Sequence, residues 1–127
     1  MASELRVNTL KDASGNNSVG MSTVAEGSAK SWMNLNGSSF GLRDSFNVAS
    51  ATDVSTGKYT ANFTSSMNTA NYAVLTNGSR ANDATVTARQ SELATGSYTP
   101  QCFDSDTPSS AFEDSDSVYT AVMGDLA

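Results

Sequence analysis

Between residues 40 and 75 apolar and polar side chains alternate with a period of two. No stretch of the chain sustains the 3.6-residue period of a helix. Phe40, Leu42, Phe46 and Val48 fall on even positions, with Gly41, Arg43, Ser45 and Asn47 between them. That spacing predicts one or two strands with a single buried face. Asp44 is the exception on the apolar side. It pairs with Arg43 at an edge or subunit contact, or a bulge turns it outward. KYTANFTSSM resumes the alternation with Tyr59, Ala61 and Phe63. In NYAVLT, Tyr72 and Val74 point one way and Ala73 and Leu75 the other. Asn77-Gly78 closes that run as a hairpin signal, and DATVTARQ is the next strand. The final strand, SVYTAVMGDLA, sets Val118 and Val122 against Tyr119 and Met123. The expected fold is all-β, a small antiparallel β-sandwich of six to eight short strands over residues 29–127.

Residues 1–28 read differently. Leu5, Val7 and Leu10 make a short extended apolar segment, which the turn-forming DASGNNS interrupts. Val19, Met21 and Val24 are too widely spaced to build a core alone. An extended N-terminal arm that packs on a neighbour or anchors the protein fits this pattern. An edge hairpin of the same domain is the plain alternative.

The chain's single tryptophan lies in SAKSWMNLN, where both strand faces carry apolar bulk: Trp32 on one, Met33 and Leu35 on the other. A strand covered on one side only does not need that. Met33 and Leu35 are expected in the subunit's own core, and Trp32 against a neighbouring subunit or the arm. Trp32, Leu5, Val7 and Leu10 are therefore the candidate oligomer interface. Hydrophobic residues are only 38% of the 127, and the lone cysteine excludes an intrachain disulfide. Oligomerisation is a standard route to stability for so small an apolar share.

Charge narrows the partners. All seven Lys and Arg precede Gln90, whereas seven of the thirteen acids come after it, for a net charge of −6. No basic patch exists to neutralise phosphates, so nucleic acid is not an expected partner. No apolar run is long enough for membrane insertion. The opening MASELRVNTL lacks the charged start and apolar region of a secretory signal.

Catalytic constellations are scarce. Without histidine there is no Ser-His or Cys-His nucleophile arrangement, and no GxSxG, Walker or GxGxxG pattern occurs. Cys102, beside an acidic loop, is expected to be a packing residue rather than a thiolate. No enzyme activity and no cofactor are expected. The acids Asp104, Asp106, Asp114 and Asp116 in DSDTPSSAFEDSD are weak calcium candidates, because alternating carboxylates can surround a hard cation. Solvated loop carboxylates are the simpler reading.

Three stretches together resemble a known group. SELRVNTLKDASGNNS is similar to the segment that opens many short tail-fibre-like proteins of marine tailed bacteriophages, of cyanophage or pelagiphage type. GSAKSWMNLNG and the LRDSFNVASATDVSTGKYTANFTSSMNTANYAVL run resemble the module that comes next in such proteins, and SVYTAVMGDLA its closing strand. Residues 3–76 carry most of the likeness and 113–127 match in pattern.

The resemblance implies a virion structural protein, a homotrimer displayed on the tail or head and synthesised in the host cytoplasm. Trp32, Arg43, Asp44, Phe46, Tyr59, Phe63 and Tyr72 would be framework positions. As a short trimeric fibre or fibre tip mediating host attachment, the chain would present Tyr98 and Phe103, with the neighbouring acids, to a host glycan or protein. The alternative is a head decoration, head-fibre or adaptor protein whose arm docks onto other virion proteins. A secreted carbohydrate-binding module is disfavoured by the missing signal.

Overall fold

The computed structural model describes residues 3–80, 86–104 and 111–127. Over these residues the alternation builds ten strands and one short helix. Eight of the strands form two four-stranded antiparallel sheets, and the other two form a separate ribbon in the N-terminal segment. The arm contains β1 (Thr9–Lys11), β2 (Ser18–Gly20) and α1 (Met21–Gly27). The sandwich comprises β3 (Ser31–Asn36), β4 (Gly41–Phe46), β5 (Val48–Ser55), β6 (Lys58–Phe63), β7 (Ala73–Ser79), β8 (Val86–Ala94), β9 (Ser97–Asp104) and β10 (Ser117–Met123). The first sheet has the order β4-β3-β10-β7 and the second β5-β6-β9-β8.

The buried side chains of both sheets form one cluster. Met33, Leu35, Val118 and Val122 come from the first sheet, and Tyr59, Ala61, Phe63, Tyr98 and Cys102 from the second. Alternation along each strand puts these groups on one face, where burial removes their apolar surface from water. Phe63 meets Tyr98 with ring centroids 5.3 Å apart and Tyr72 edge-on at 5.7 Å. The Tyr98 hydroxyl crosses the core to hydrogen-bond Thr120 Oγ1 at 2.6 Å. The Tyr72 hydroxyl donates to the carbonyls of Ala94 and Ser97. These bonds meet the requirement that buried hydroxyls find partners.

Two local features overturn the single buried face expected for Phe40, Leu42, Phe46 and Val48. Asn34 pairs with Asp44 and Leu35 with Leu42, so Arg43 is an extra residue in a β-bulge. Asp44 and Phe46 therefore share the side of Trp32, whereas Leu42 shares the side of Leu35. Asn47 then takes the left-handed conformation at φ 56°, which asparagine tolerates better than most residues. Its side chain donates to the carbonyls of Lys30 and Ser65 and accepts from the Ser65 amide. At this corner the chain passes from the first sheet to the second, and Val48 packs against the core.

One further expectation is corrected. Asn77-Gly78 is not a turn: it lies inside β7, opposite Tyr119 and Val118 of β10. Long-range pairing outweighs the local turn preference there. Pro100, a residue that ordinarily interrupts strands, lies inside β9. It sits opposite Gln90, and the pairing to β6 breaks between Gln101 and Tyr98, where proline offers no amide hydrogen.

The ribbon's turn in the arm is organised by the Asp12 carboxylate, which accepts from Ser14 Oγ, the Asn16 amide and Asn17 Nδ2. Those bonds hold the Asp12 carboxyl below its ordinary pKa. The helix departs from the sequence-based expectation of no helix. Its two turns are too short to display a helical period, and none of its residues is buried.

Candidate functional site

Strand register places four apolar side chains in one row across the outward face of the first sheet. Phe46 lies opposite Trp32, Trp32 opposite Ala121, and Ala121 opposite Leu75. Trp32 is 38% exposed, Phe46 53% and Leu75 59%. In the next row Asp44, Asn34, Tyr119 and Asn77 are neighbours across the same four strands, with Tyr119 exposed. Leu75, Asn77, Tyr119 and Ala121 line a shallow groove between β7 and β10. Arg43 marks the polar rim, donating to Asn34 Oδ1 and Ser117 Oγ.

The second sheet has the opposite character. Across its outward face Thr52, Thr60, Thr99 and Ser91 form one row, and Ser50, Asn62 and Ser97 another. A sheet with one side free of a core is normally polar there, although Thr99 at the centre of its row is itself buried. The outward face of the first sheet departs from this. The exposed surface of Trp32, Phe46, Leu75 and Tyr119 together comes to roughly 400 Å², within the range of about 300–600 Å² for the largest, often functional, apolar patch of a monomer.

Of the sequence-predicted interface residues, Trp32 stands at the centre of the row, while Met33 and Leu35 face the core as expected. Leu5, Val7 and Leu10 are all exposed, Leu5 at 78%. The arm thus leaves its own apolar groups and the sandwich face uncovered. Phe46, Leu75 and Tyr119 are not among the interface residues that sequence reasoning finds. Leu75 and Tyr119 have the opposite parity to core residues, which is the available signal; the bulge reverses the signal at Phe46.

The receptor-contact expectation for Tyr98 is corrected: its side chain is fully buried. It points from β9 into the core, against Phe63 and across to Thr120 of the other sheet, and burial pushes its hydroxyl up to about 12. Phe103 is half-buried at the end of β9 and bridges to Phe112. Cys102 is buried and its thiol is raised by burial, as a packing residue requires.

The acids after Phe112 belong to a strap across one end of the sandwich rather than to a solvated loop. Glu113 forms an ion pair with Arg80. Asp114 Oδ1 accepts from the Gly57 amide at 2.7 Å and the Tyr59 hydroxyl at 2.9 Å. Asp116 accepts from Ser38 Oγ at 2.8 Å. The Ser115 carbonyl receives the amides of Gly37 and Ser38. Gly57, at φ +67°, admits the strap: a Cβ there would collide with the Cys102 carbonyl and lie 2.7 Å from the Glu113 amide. Of the calcium candidates, Asp106 lies outside the described residues, and the other three do not converge. Among the described residues no group of three or more ligating acids or cysteines gathers, and no helix is long and apolar enough to cross a membrane.

Comparison with protein-family models, curated proteins and solved structures finds no match.

Proposed function

We propose that the chain is a self-associating virion structural protein of a tailed bacteriophage, a short trimeric fibre or fibre tip. The observation that carries this reading is the outward row of Phe46, Trp32, Ala121 and Leu75. An apolar row with a polar rim of Arg43, Asp44, Asn34 and Asn77 has the layout of a protein interface. The resemblance of residues 3–76 to marine phage fibre proteins supplies the particle. The role is structural and non-enzymatic, without cofactor.

A head decoration or adaptor role is the second reading, favoured by the burial of Tyr98. That burial removes one of the two aromatic candidates for host contact. Antibody labelling of purified particles that carry the protein separates the two readings. Label at the tail tip supports the fibre, label over the head supports the decoration, and particles without label overturn both.

A further inference from the structure

We infer that the outward face of the first sheet is covered by the N-terminal arm of a second copy of this chain, an arm exchange that rests on the self-association proposed above. Two halves of one chain each lack a cover, and each supplies what the other needs. The sandwich exposes Trp32, Phe46, Leu75 and Tyr119, and the arm exposes Leu5, Val7, Leu10 and Val24.

The arm's own elements require a support. β1 and β2 are three residues each, and every residue of β1 is exposed. An isolated two-stranded ribbon is marginal in water. The seven-residue α1 buries nothing, and isolated helices below about 12 residues are not stable. Its own sandwich meets only the end of the helix. Ala25 and Glu26 lie at the end of the first sheet, by Lys30, Asn71 and Asp125. The Lys30 ammonium ties the helix end there, donating to the carbonyls of Ala25 and Ser28.

Reach suffices for the exchange. Residues 3–11, fully extended, span up to about 30 Å. Four hydrogen-bonded strands are roughly 14 Å across from first to last. One arm can therefore cross the whole row. The apolar face of roughly 400 Å² is, with a polar rim, of the order of one partner's share of a standard interface. Each copy carries both an arm and a face, so the exchange is made reciprocally in a dimer or head-to-tail in a closed ring, and the trimer proposed above is the ring.

The test uses the full chain with Tyr119 replaced by a benzophenone-bearing phenylalanine, mixed in isotopically light and heavy forms, irradiated and mapped by peptide mass. The expected result is light-to-heavy cross-links into residues 3–28. Cross-links into residues 29–127 of the other copy, or only within one copy, in a protein that still runs as an oligomer, overturn the arm exchange and leave self-association standing. A monomer overturns both. In the second measurement, Leu5→Asp with Leu10→Asp is expected to raise the dissociation constant at least tenfold. An unchanged constant overturns the exchange.

Discussion

Trp32 and Phe46 stand directly opposite each other on adjacent antiparallel strands, both turned away from the core that Met33 and Leu35 enter. Buried aromatic anchors near an interface centre commonly cost at least about 2 kcal/mol on truncation to alanine. Trp32→Ala is therefore expected to weaken the oligomer tenfold or more in sedimentation equilibrium. The denaturant midpoint of the dissociated chain should fall less than for a core truncation, since Trp32 is already 38% exposed there. Met33→Ala, one residue along on the core face, should instead cost about 2–5 kcal/mol of folding stability. Equal effects of the two substitutions on folding would contradict the assignment of faces.

Asp114 is the anchor of the strap. Its carboxylate holds the Gly57 amide and the Tyr59 hydroxyl, and Tyr59 is fully buried. Asp114→Ala removes two charge-assisted bonds and leaves a buried hydroxyl without its acceptor. The expected loss is about 2–3 kcal/mol in urea unfolding. Asp114→Asn, which keeps an acceptor oxygen, should lose less. Added calcium is expected to leave the wild-type melting temperature unchanged, since the carboxylate is used within the fold.

Alkaline pH tests the aromatic core. Burial raises the Tyr59, Tyr72 and Tyr98 hydroxyls above the ordinary value of 10.0, Tyr98 to about 12. The folded chain therefore holds these protons more tightly than the unfolded chain. Stability is full below about pH 10 and falls as pH rises from there towards 12, because the unfolded state ionises first. Denaturant midpoints measured from about pH 8 to pH 11.5 should fall in that upper range, with tyrosinate absorbance appearing as the chain unfolds. Early tyrosinate absorbance from all four tyrosines with the fold intact would contradict the packing.

Much of this architecture is legible in the alternation. The strands around Met33, Tyr59, Phe63 and Val118 need only a period of two, and their buried faces come from it. The features that escape depend on single residues whose effect is not local. The extra residue at Arg43 and the left-handed Asn47 each reverse the parity of the residues beside them, which takes Phe46 from core to surface. Asn77-Gly78 carries a turn signature, yet pairing with β10 holds it in a strand. The acids of the strap look solvated in sequence because their partners Tyr59, Gly57 and Ser38 are 55 or more residues away. Trp32 stands out in sequence because both faces of its strand carry apolar bulk, and it lies on the outward face. Its companions in the row become visible only through register.

Coverage of the apolar outward face by other copies, as proposed above, requires that the chain self-associate. The native mass of the full chain at micromolar concentration, by sedimentation or native mass spectrometry, tests it most directly. The expected result is a trimer, three times the 13.2 kDa of one chain. A stable monomer of 13.2 kDa at that concentration would contradict it.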